Sequence, residues 1–183
     1  NMKIVAPSDA NEMERFMSVT SDIKGPLYIR LAKGGDKVVS KAVNGFAIGR
    51  AILLRKPGRV LIVSTGVGTA QALGASDQLK NKGVTAGVLH MHTIKPLDKE
   101  KLIKMVDKVR AVITLEEHTI LGGLGSACAE IILEEGLKER KSFKRIGIPD
   151  VFPSGYGNQK DMMSRNGINL TEVIKTAEDL LEI

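Results

Sequence analysis

Two glutamates and a histidine lie side by side in the middle of the chain, at Glu116, Glu117 and His118. Imidazole titrates near neutral pH and a neighbouring carboxylate can orient it, so this trio could supply a general acid or base. The same residues could instead fix the conformation of a loop or bind a neighbouring subunit. We favour this second interpretation, because the surrounding sequence contains no complete active site.

The other side chains of reactive types lack the neighbours that their chemistry requires. His90 and His92 lie near a predicted strand end, but His-x-His with one distant histidine matches no specific zinc signature. Ser64 and Ser126 lack the context of a nucleophile elbow. Cys128 lies on the apolar face of a predicted helix, where packing explains it better than nucleophilic chemistry does. We therefore predict no catalytic residue, no cofactor ligand and no metal site in this chain.

A predicted strand, turn and helix position the trio. Residues 112–115 form an apolar run rich in β-branched residues, and the pattern predicts a turn at 116–118. A glycine-rich elbow at 122–125 then opens a helix that we expect to run to about Lys138. The predicted apolar face of this helix consists of Leu124, Ala127, Cys128 and Ile131. In a parallel sheet, such a turn lies at the carboxyl end of a strand, so we expect any site nearby.

A second glycine turn, Gly66-Val67-Gly68-Thr69, follows the best strand of the sequence, residues 59–65. It is only a weak dinucleotide fingerprint, because Gln71 stands where G-x-G-x-x-G requires glycine. Close packing of the following helix against the strand explains the glycines better. That helix is predicted to end near Lys82-Gly83, with Ala72, Ala75 and Leu79 facing inward.

The first 33 residues predict one βαβ unit. Strands are predicted at 2–7 and 27–31, and Ser8 or Asp9 caps the helix between them, with Glu12 at capping-box spacing. The predicted inner face of the helix is Met13, Phe16, Met17 and Thr20. One such unit cannot bury its own faces, so we expect its sheet neighbours to be missing or supplied by another chain. The connector 34–45 is the candidate domain boundary.

The remaining sequence alternates between strands and helices. Strands are predicted at 46–55, 85–91, 111–115 and 145–148, and helices are predicted after the caps Asp98 and Asn169. The helix faces expected to be buried are Leu102, Met105, Val106 and Val109 in the first, and Val173, Ile174, Ala177, Leu180 and Leu181 in the second. The segment up to Gly167 is predicted to be irregular. This alternation predicts an α/β fold of three layers, with a mostly parallel sheet covered by helices on both faces.

Composition excludes several classes of function. The 183 residues are 43% hydrophobic and 26% charged, which is typical of a globular protein. The net charge of +6 comes from basic residues interleaved with acids, and aromatic residues are 3% with no tryptophan, so we predict no nucleic-acid binding. The basic groups are Lys99, Lys101, Lys104, Lys108 and Arg110, and Lys138, Arg140, Lys141, Lys144 and Arg145. The single cysteine and the lack of a long apolar run predict a cytoplasmic protein without membrane contact.

Five segments together resemble the carboxyl-terminal part of the transketolase family. They are GPLYIRLAKG, VLIVSTGVGTAQAL, MHTIKPLD, VITLEEHTILGGLGSACAE and RIGIPDVFPSGY, and they extend over essentially the whole chain. Within the family, the sequence is most similar to separately encoded carboxyl-terminal transketolase subunits. It is next most similar to 1-deoxy-D-xylulose-5-phosphate synthase and to the β subunits of 2-oxoacid dehydrogenases.

The resemblance implies a thiamine-diphosphate- and magnesium-dependent transferase of carbohydrate metabolism, of which this chain is one part. It implies that residues 1–35 end a pyrimidine-binding domain, residues 36–45 are a linker and residues 46–183 are the transketolase carboxyl-terminal domain. The family's cofactor-activating glutamate and its GDG-type magnesium motif have no match here. We therefore expect this chain alone to bind no cofactor and to be inactive, and we expect an amino-terminal transketolase portion and a second copy as partners.

One residue role follows from the resemblance. The family's arginine near the end of the last pyrimidine-domain strand contacts the sugar phosphate, and Arg30 is the matching position. A guanidinium suits phosphate, and Lys33 could add a second positive charge. The residues after Arg30 depart from both the transketolase and the synthase patterns, which leaves the substrate open. Because the family's carboxyl-terminal domain supports dimers, Glu116, Glu117 and His118 are candidate access or interface residues.

Three functions compete at this stage. The first is transfer of a two-carbon ketol unit between sugar phosphates, carried out with the amino-terminal portion. The second is the β chain of a 2-oxoacid dehydrogenase or the carboxyl-terminal part of 1-deoxy-D-xylulose-5-phosphate synthase. The third is not enzymatic: an anion-binding or subunit-assembly module that uses the two glycine-rich turns.

Overall fold

The computed structural model describes residues 1–137, 139–152 and 154–183. Its strands are β1 Lys3–Val5, β2 Leu27–Ile29, β3 Ile52–Arg55, β4 Val60–Ser64, β5 Ala86–His90, β6 Thr93–Lys95, β7 Ala111–Thr119 and β8 Ser142–Ile148. Its helices are α1 Ala10–Thr20, α2 Gly68–Asn81, α3 Lys99–Val106, α4 Leu124–Glu134, α5 Gln159–Arg165 and α6 Leu170–Leu181, and a 3₁₀ turn spans Ala42–Asn44.

The larger sheet has the strand order β3-β5-β4-β7-β8. Its pairs β4 with β5, β4 with β7 and β7 with β8 are parallel, whereas the edge strand β3 is antiparallel to β5. The predicted α/β fold with a mostly parallel sheet is confirmed.

Alternate side chains of the central strand β4 pack on opposite faces of this sheet. Val60 and Ile62 join the cluster that contains α2 and α6, and Leu61 and Val63 join the cluster of α3 and α4. All five residues of β4 are buried, as expected of a strand covered on both sides. The helices therefore form two outer layers around the sheet.

A second, three-stranded sheet has the order β2-β1-β6. β1 is parallel to β2 and antiparallel to β6, and β6 comes from the segment just after β5, for which the sequence analysis predicted no strand. The expectation that both neighbours of β1 and β2 lie outside this chain was therefore wrong on one side. Backbone bonds to Ala6 join the two sheets, because its N–H donates to His92 and its carbonyl accepts from Gly66.

Three other element predictions were wrong. Met17 was predicted on the inner face of α1, but its side chain is 52% exposed. The inner face instead includes Glu12, which is fully buried. The segment predicted to be irregular contains α5, whose N-terminus is capped by the Asn158 side chain accepting from the Asp161 N–H. β7 runs through residues 116–118, where a turn was predicted.

Several strand and helix limits also differ from the predictions. β3 begins only at Ile52, and β8 begins earlier than predicted, at Ser142. α4 ends at Glu134, and its predicted end, Lys138, lies outside the described residues. Within the described ranges, none of the helices has the length and apolar character needed to cross a bilayer.

Candidate functional site

A cavity of about 120 Å³ lies where the carboxyl ends of strands from both sheets meet. Arg30 follows β2 directly, Thr65 follows β4, and Glu117 and His118 belong to the end of β7. The full lining is Ile4, Ala6, Pro7, Tyr28, Arg30, Ala32, Thr65, Gly66, Val67, Ile94, Glu117, His118, Gly122 and Gly123. We call it the Arg30 cavity. Two groups of residues that the sequence analysis treated separately, Arg30 and the 116–118 trio, therefore meet at one site.

Glu117 is the direct partner of Arg30. The Arg30 Nη2 donates a hydrogen bond to the backbone carbonyl of Glu117, and the same nitrogen lies 3.7 Å from the Glu117 carboxylate Oε2. The other carboxylate oxygen, Oε1, accepts a hydrogen bond of 3.0 Å from the side-chain amide of Gln159. Both charged side chains are partly buried. Glu117 thus connects the residue that follows β2 with the start of α5.

Glu116 points away from solvent and caps α4. Its Oε2 accepts from the Leu124 N–H at 2.7 Å and its Oε1 accepts from the Gly125 N–H at 2.8 Å. Burial raises the pKa of Glu116, and the two N–H groups oppose that rise. Since both oxygens are engaged at the helix N-terminus, this carboxylate positions the loop before α4.

His118 is the accessible member of the trio. Its side chain is 44% exposed, and its Nδ1 lies 2.8 Å from the Thr119 carbonyl, to which a protonated Nδ1 donates. In that tautomer of the neutral ring, Nε2 is left as a hydrogen-bond acceptor. The imidazole therefore offers a polar group at the rim of the Arg30 cavity.

Lys33 does not line the Arg30 cavity. It lines a separate, wider groove together with Lys37, Gln71 and Lys160. Lys33 was expected to add a second positive charge beside Arg30, but the two basic side chains line different depressions.

A buried polar network between α1 and the larger sheet was missed by the sequence analysis. The Glu12 Oε2 lies 2.8 Å from the His90 Nε2 and accepts a bond of 2.6 Å from the Ser8 N–H. On the other side of the ring, His90 Nδ1 lies 2.9 Å from the hydroxyl of Thr69, which accepts from the hydroxyl of Ser64. Burial would raise the pKa of Glu12, but the hydrogen bond and the charge of His90 lower it overall.

The network has the residue types of a catalytic relay but no access to a substrate. Ser64, Thr69 and Glu12 are fully buried, and His90 is 1% exposed. His90 and Ser64 were considered only separately from the sequence, and the capping-box spacing of Glu12 with Asp9 offered a sufficient local explanation for that glutamate. The network is therefore structural, and it fixes α1 against the larger sheet.

His92 extends this buried region without forming a metal site. Its ring stacks on Phe46 at a centroid distance of 4.0 Å, and burial lowers its pKa to about 4. Among the residues that the structure describes, no group of three or more His, Cys, Asp or Glu side chains could hold a metal ion. Cys128 is buried, and burial raises the pKa of its thiol, which makes it a poor nucleophile.

Comparison with known proteins places this geometry in context. A family model described as the transketolase C-terminal domain matches residues 49–173. A transketolase family protein of Sinorhizobium fredii is 34% identical over 184 residues, which cover 100% of this chain and 53% of that protein. The 1-deoxy-D-xylulose-5-phosphate synthase of Heliobacterium modesticaldum is 32% identical over 181 residues, covering 98% of this chain and 28% of the synthase.

A solved structure is similar over the entire chain. It is a split-gene transketolase, described as an inactive beta4 tetramer, with a TM-score of 0.91 and 33% sequence identity over 100% of this chain and 58% of that one. The chain spans about half the length of the curated transketolase relatives it matches.

Proposed function

The chain belongs to the transketolase family, and from this premise we propose that it is the carboxyl-terminal part of an enzyme that transfers a two-carbon ketol unit between sugar phosphates. The observation that carries the proposal is the Arg30 cavity. It brings the guanidinium of Arg30, the hydroxyl of Thr65 and the imidazole of His118 together at the carboxyl ends of strands, where ligands bind in open parallel sheets.

Arg30 is the group that we propose for binding the substrate phosphate. Its side chain is 37% exposed, so it can reach solvent while its position is set by Glu117. A guanidinium can bind phosphate through two parallel hydrogen bonds, which fixes the orientation of the sugar as well as its affinity. Lys33 lines a different groove, so within this proposal it acts at most on substrate approach.

We propose that the cofactor of the complete enzyme, thiamine diphosphate with magnesium, is held mainly by another portion of it. Among the described residues, no group of three or more His, Cys, Asp or Glu side chains could hold a metal ion, and the charged pair of the Arg30 cavity is one arginine with one glutamate. That donor set does not fit a magnesium diphosphate, which calls for several oxygen ligands around the metal. The cofactor would supply the carbanion chemistry, while residues of this chain bind and orient the substrate.

An amino-terminal transketolase portion is the partner that this proposal requires. β2 supports its docking, because β2 is an edge strand of the smaller sheet and carries the half-exposed Tyr28. A strand edge with an exposed aromatic side chain can pair with a further strand. A homodimer and a location in the cytoplasm are further elements of the proposal.

Reconstitution tests the function directly. The chain is mixed with the amino-terminal transketolase portion from the same source, thiamine diphosphate and magnesium, and ketol transfer from a ketose phosphate to an aldose phosphate is measured. We expect activity only from the mixture, and we expect Arg30→Ala to raise KM for the phosphorylated substrate at least about tenfold. Inactivity of the mixture with a full range of sugar phosphates would contradict the proposal.

A second candidate is the carboxyl-terminal part of 1-deoxy-D-xylulose-5-phosphate synthase. The 32% identity to the Heliobacterium enzyme over 98% of this chain favours it specifically. The same reconstituted mixture separates the two candidates, because formation of 1-deoxy-D-xylulose 5-phosphate without ketol transfer would select the synthase.

A further inference from the structure

We propose that Glu117 is a specificity-determining residue of the Arg30 cavity: its negative charge offsets that of Arg30, so that the cavity accepts singly charged oxyanions as well as the dianionic phosphate of the proposed substrate. The inference rests on the proposed function, because it takes Arg30 as the residue that binds the anionic end of the substrate.

The first step of the argument is the charge balance of the cavity. Among its fourteen lining residues, the charged side chains are Arg30 and Glu117, and His118 adds an imidazole. Their charges cancel. An anion entering the cavity therefore meets a guanidinium whose positive charge is already offset by a carboxylate oxygen 3.7 Å away.

The second step is that this carboxylate cannot easily move aside. Its Oε1 accepts a hydrogen bond of 3.0 Å from Gln159 on α5, and its side chain is only 22% exposed. The negative charge thus stays beside Arg30 when a ligand binds. Repulsion between a fixed charge and a ligand grows in proportion to the charge of the ligand.

The third step is that position and charge can be separated at this residue. The hydrogen bond from Arg30 Nη2 ends on the backbone carbonyl of Glu117, which any substitution retains. A glutamine at 117 also keeps an oxygen that can accept from Gln159. Glu117→Gln therefore removes the charge while the guanidinium keeps both its anchor and its surroundings.

The test uses two probes of similar shape, methyl phosphate and methanesulfonate, titrated into the chain at pH 8 and monitored by NMR shifts of backbone amides around Arg30. At this pH the phosphate monoester is a dianion and the sulfonate a monoanion. We expect Glu117→Gln to strengthen sulfonate binding about threefold and phosphate binding about tenfold. The second factor is about the square of the first, because the repulsion energy from Glu117 doubles when the charge of the ligand doubles.

Two further variants complete the test. Glu130→Gln removes one negative charge at an exposed site on α4 and should leave both affinities unchanged. Glu117→Asp keeps the charge and should preserve the wild-type preference. Equal changes for the two probes, weaker binding of both by Glu117→Gln, or no binding of either probe by any variant would overturn the proposal.

The outcome is distinguishable from failure of the proposed function. An active reconstituted enzyme without the graded response would leave the ketol-transfer proposal standing and reject the role of Glu117. A graded response in a chain whose reconstituted mixture is inactive would retain the anion site and reject ketol transfer.

Discussion

The carboxylate of Glu12 is fully buried, and it is stabilised by groups from both sides of the boundary between the two sheets. It contacts the imidazole of His90 at 2.8 Å and the N–H of Ser8 at 2.6 Å. A buried ionisable group persists in a folded protein only when such partners replace water. The pair therefore couples the position of α1 to the end of β5.

Removing one member of this pair should destabilise the protein strongly. Glu12→Ala leaves the buried His90 without its main partner, and we expect a loss of about 3–5 kcal/mol in the free energy of unfolding. Urea unfolding followed by circular dichroism measures it. Glu14→Ala, at an exposed position of the same helix, should change the free energy by less than about 0.5 kcal/mol. A loss for Glu12→Ala as small as that for Glu14→Ala would show that the Glu12–His90 pair contributes nothing to stability.

The glycine before α4 makes a second prediction possible. A Cβ at Gly123 would lie 2.0 Å from the Glu116 Oε2, whereas a Cβ at Gly122 would meet no atom within 4 Å but would stand on a backbone with φ of +69°. We expect Gly123→Ala to cost about 1–3 kcal/mol by steric overlap, and Gly122→Ala to cost about 1–2 kcal/mol by backbone strain.

Double variants separate these two causes. In a Glu116→Ala background the Gly123→Ala cost should fall, because its nearest clashing atom is gone, whereas the Gly122→Ala cost should stay the same. Denaturant unfolding of the five variants, three single and two double, measures the coupling. If Gly123→Ala costs the same with and without Glu116→Ala, the steric explanation is contradicted.

At the scale of elements, the N-terminus of α1 also fixes the connector that follows β2. The Asp9 side chain accepts from the Glu12 N–H of its own helix and from the N–H groups of Val39 and Ser40. Burial raises the pKa of Asp9, but the bonds from Ser40, Glu12 and Val39 outweigh it and lower the pKa from 3.8 to about 2. One carboxylate thus serves as helix cap and as clamp for a polar loop.

This clamp predicts a pH dependence. Because the pKa of Asp9 is lower in the folded state, its stabilisation is fully present above pH 3.8 and is lost as the pH falls through about 2. At pH 6 we expect the free energy of unfolding of wild type to exceed that of Asp9→Asn by about 2 kcal/mol. This difference should shrink as the pH is lowered to 2.5. A difference that stays constant over this range would contradict the assignment.

Local signals in the sequence were sufficient for most elements. The caps Asp98 and Asn169 accept from the N–H groups three residues on, at Lys101 and Glu172, as their spacing predicted. α5 was missed because the segment before it contains glycine, proline and serine, which are typical of loops, although Asn158 and Asp161 have the same cap spacing. β6 was missed because its three residues pair only with β1, about ninety positions earlier.

At the scale of the whole molecule, what escaped prediction depends on contacts between distant segments. Arg30 and Glu117 are 87 positions apart, and Glu12 and His90 are 78 apart. Periodicity and capping describe neighbours in sequence, so they cannot show that one arginine selects one carboxylate. The family resemblance identified Arg30 as a candidate, but its pairing with Glu117 required the fold.

The two sheets should also differ in stability, which gives a final prediction. β1 and β2 have three residues each and lie in a three-stranded sheet, whereas β4 is fully buried between two parallel neighbours. In the isolated chain we expect amides of β1 and β2 to exchange with deuterium at least about 100-fold faster than those of β4, because small sheets open locally at lower free energy. If the amino-terminal portion pairs with β2, adding it should slow exchange in β1 and β2 while leaving β4 unchanged. Equal protection of both sheets in the isolated chain would mean that the smaller sheet is already complete, and it would remove the main structural support for docking at that edge.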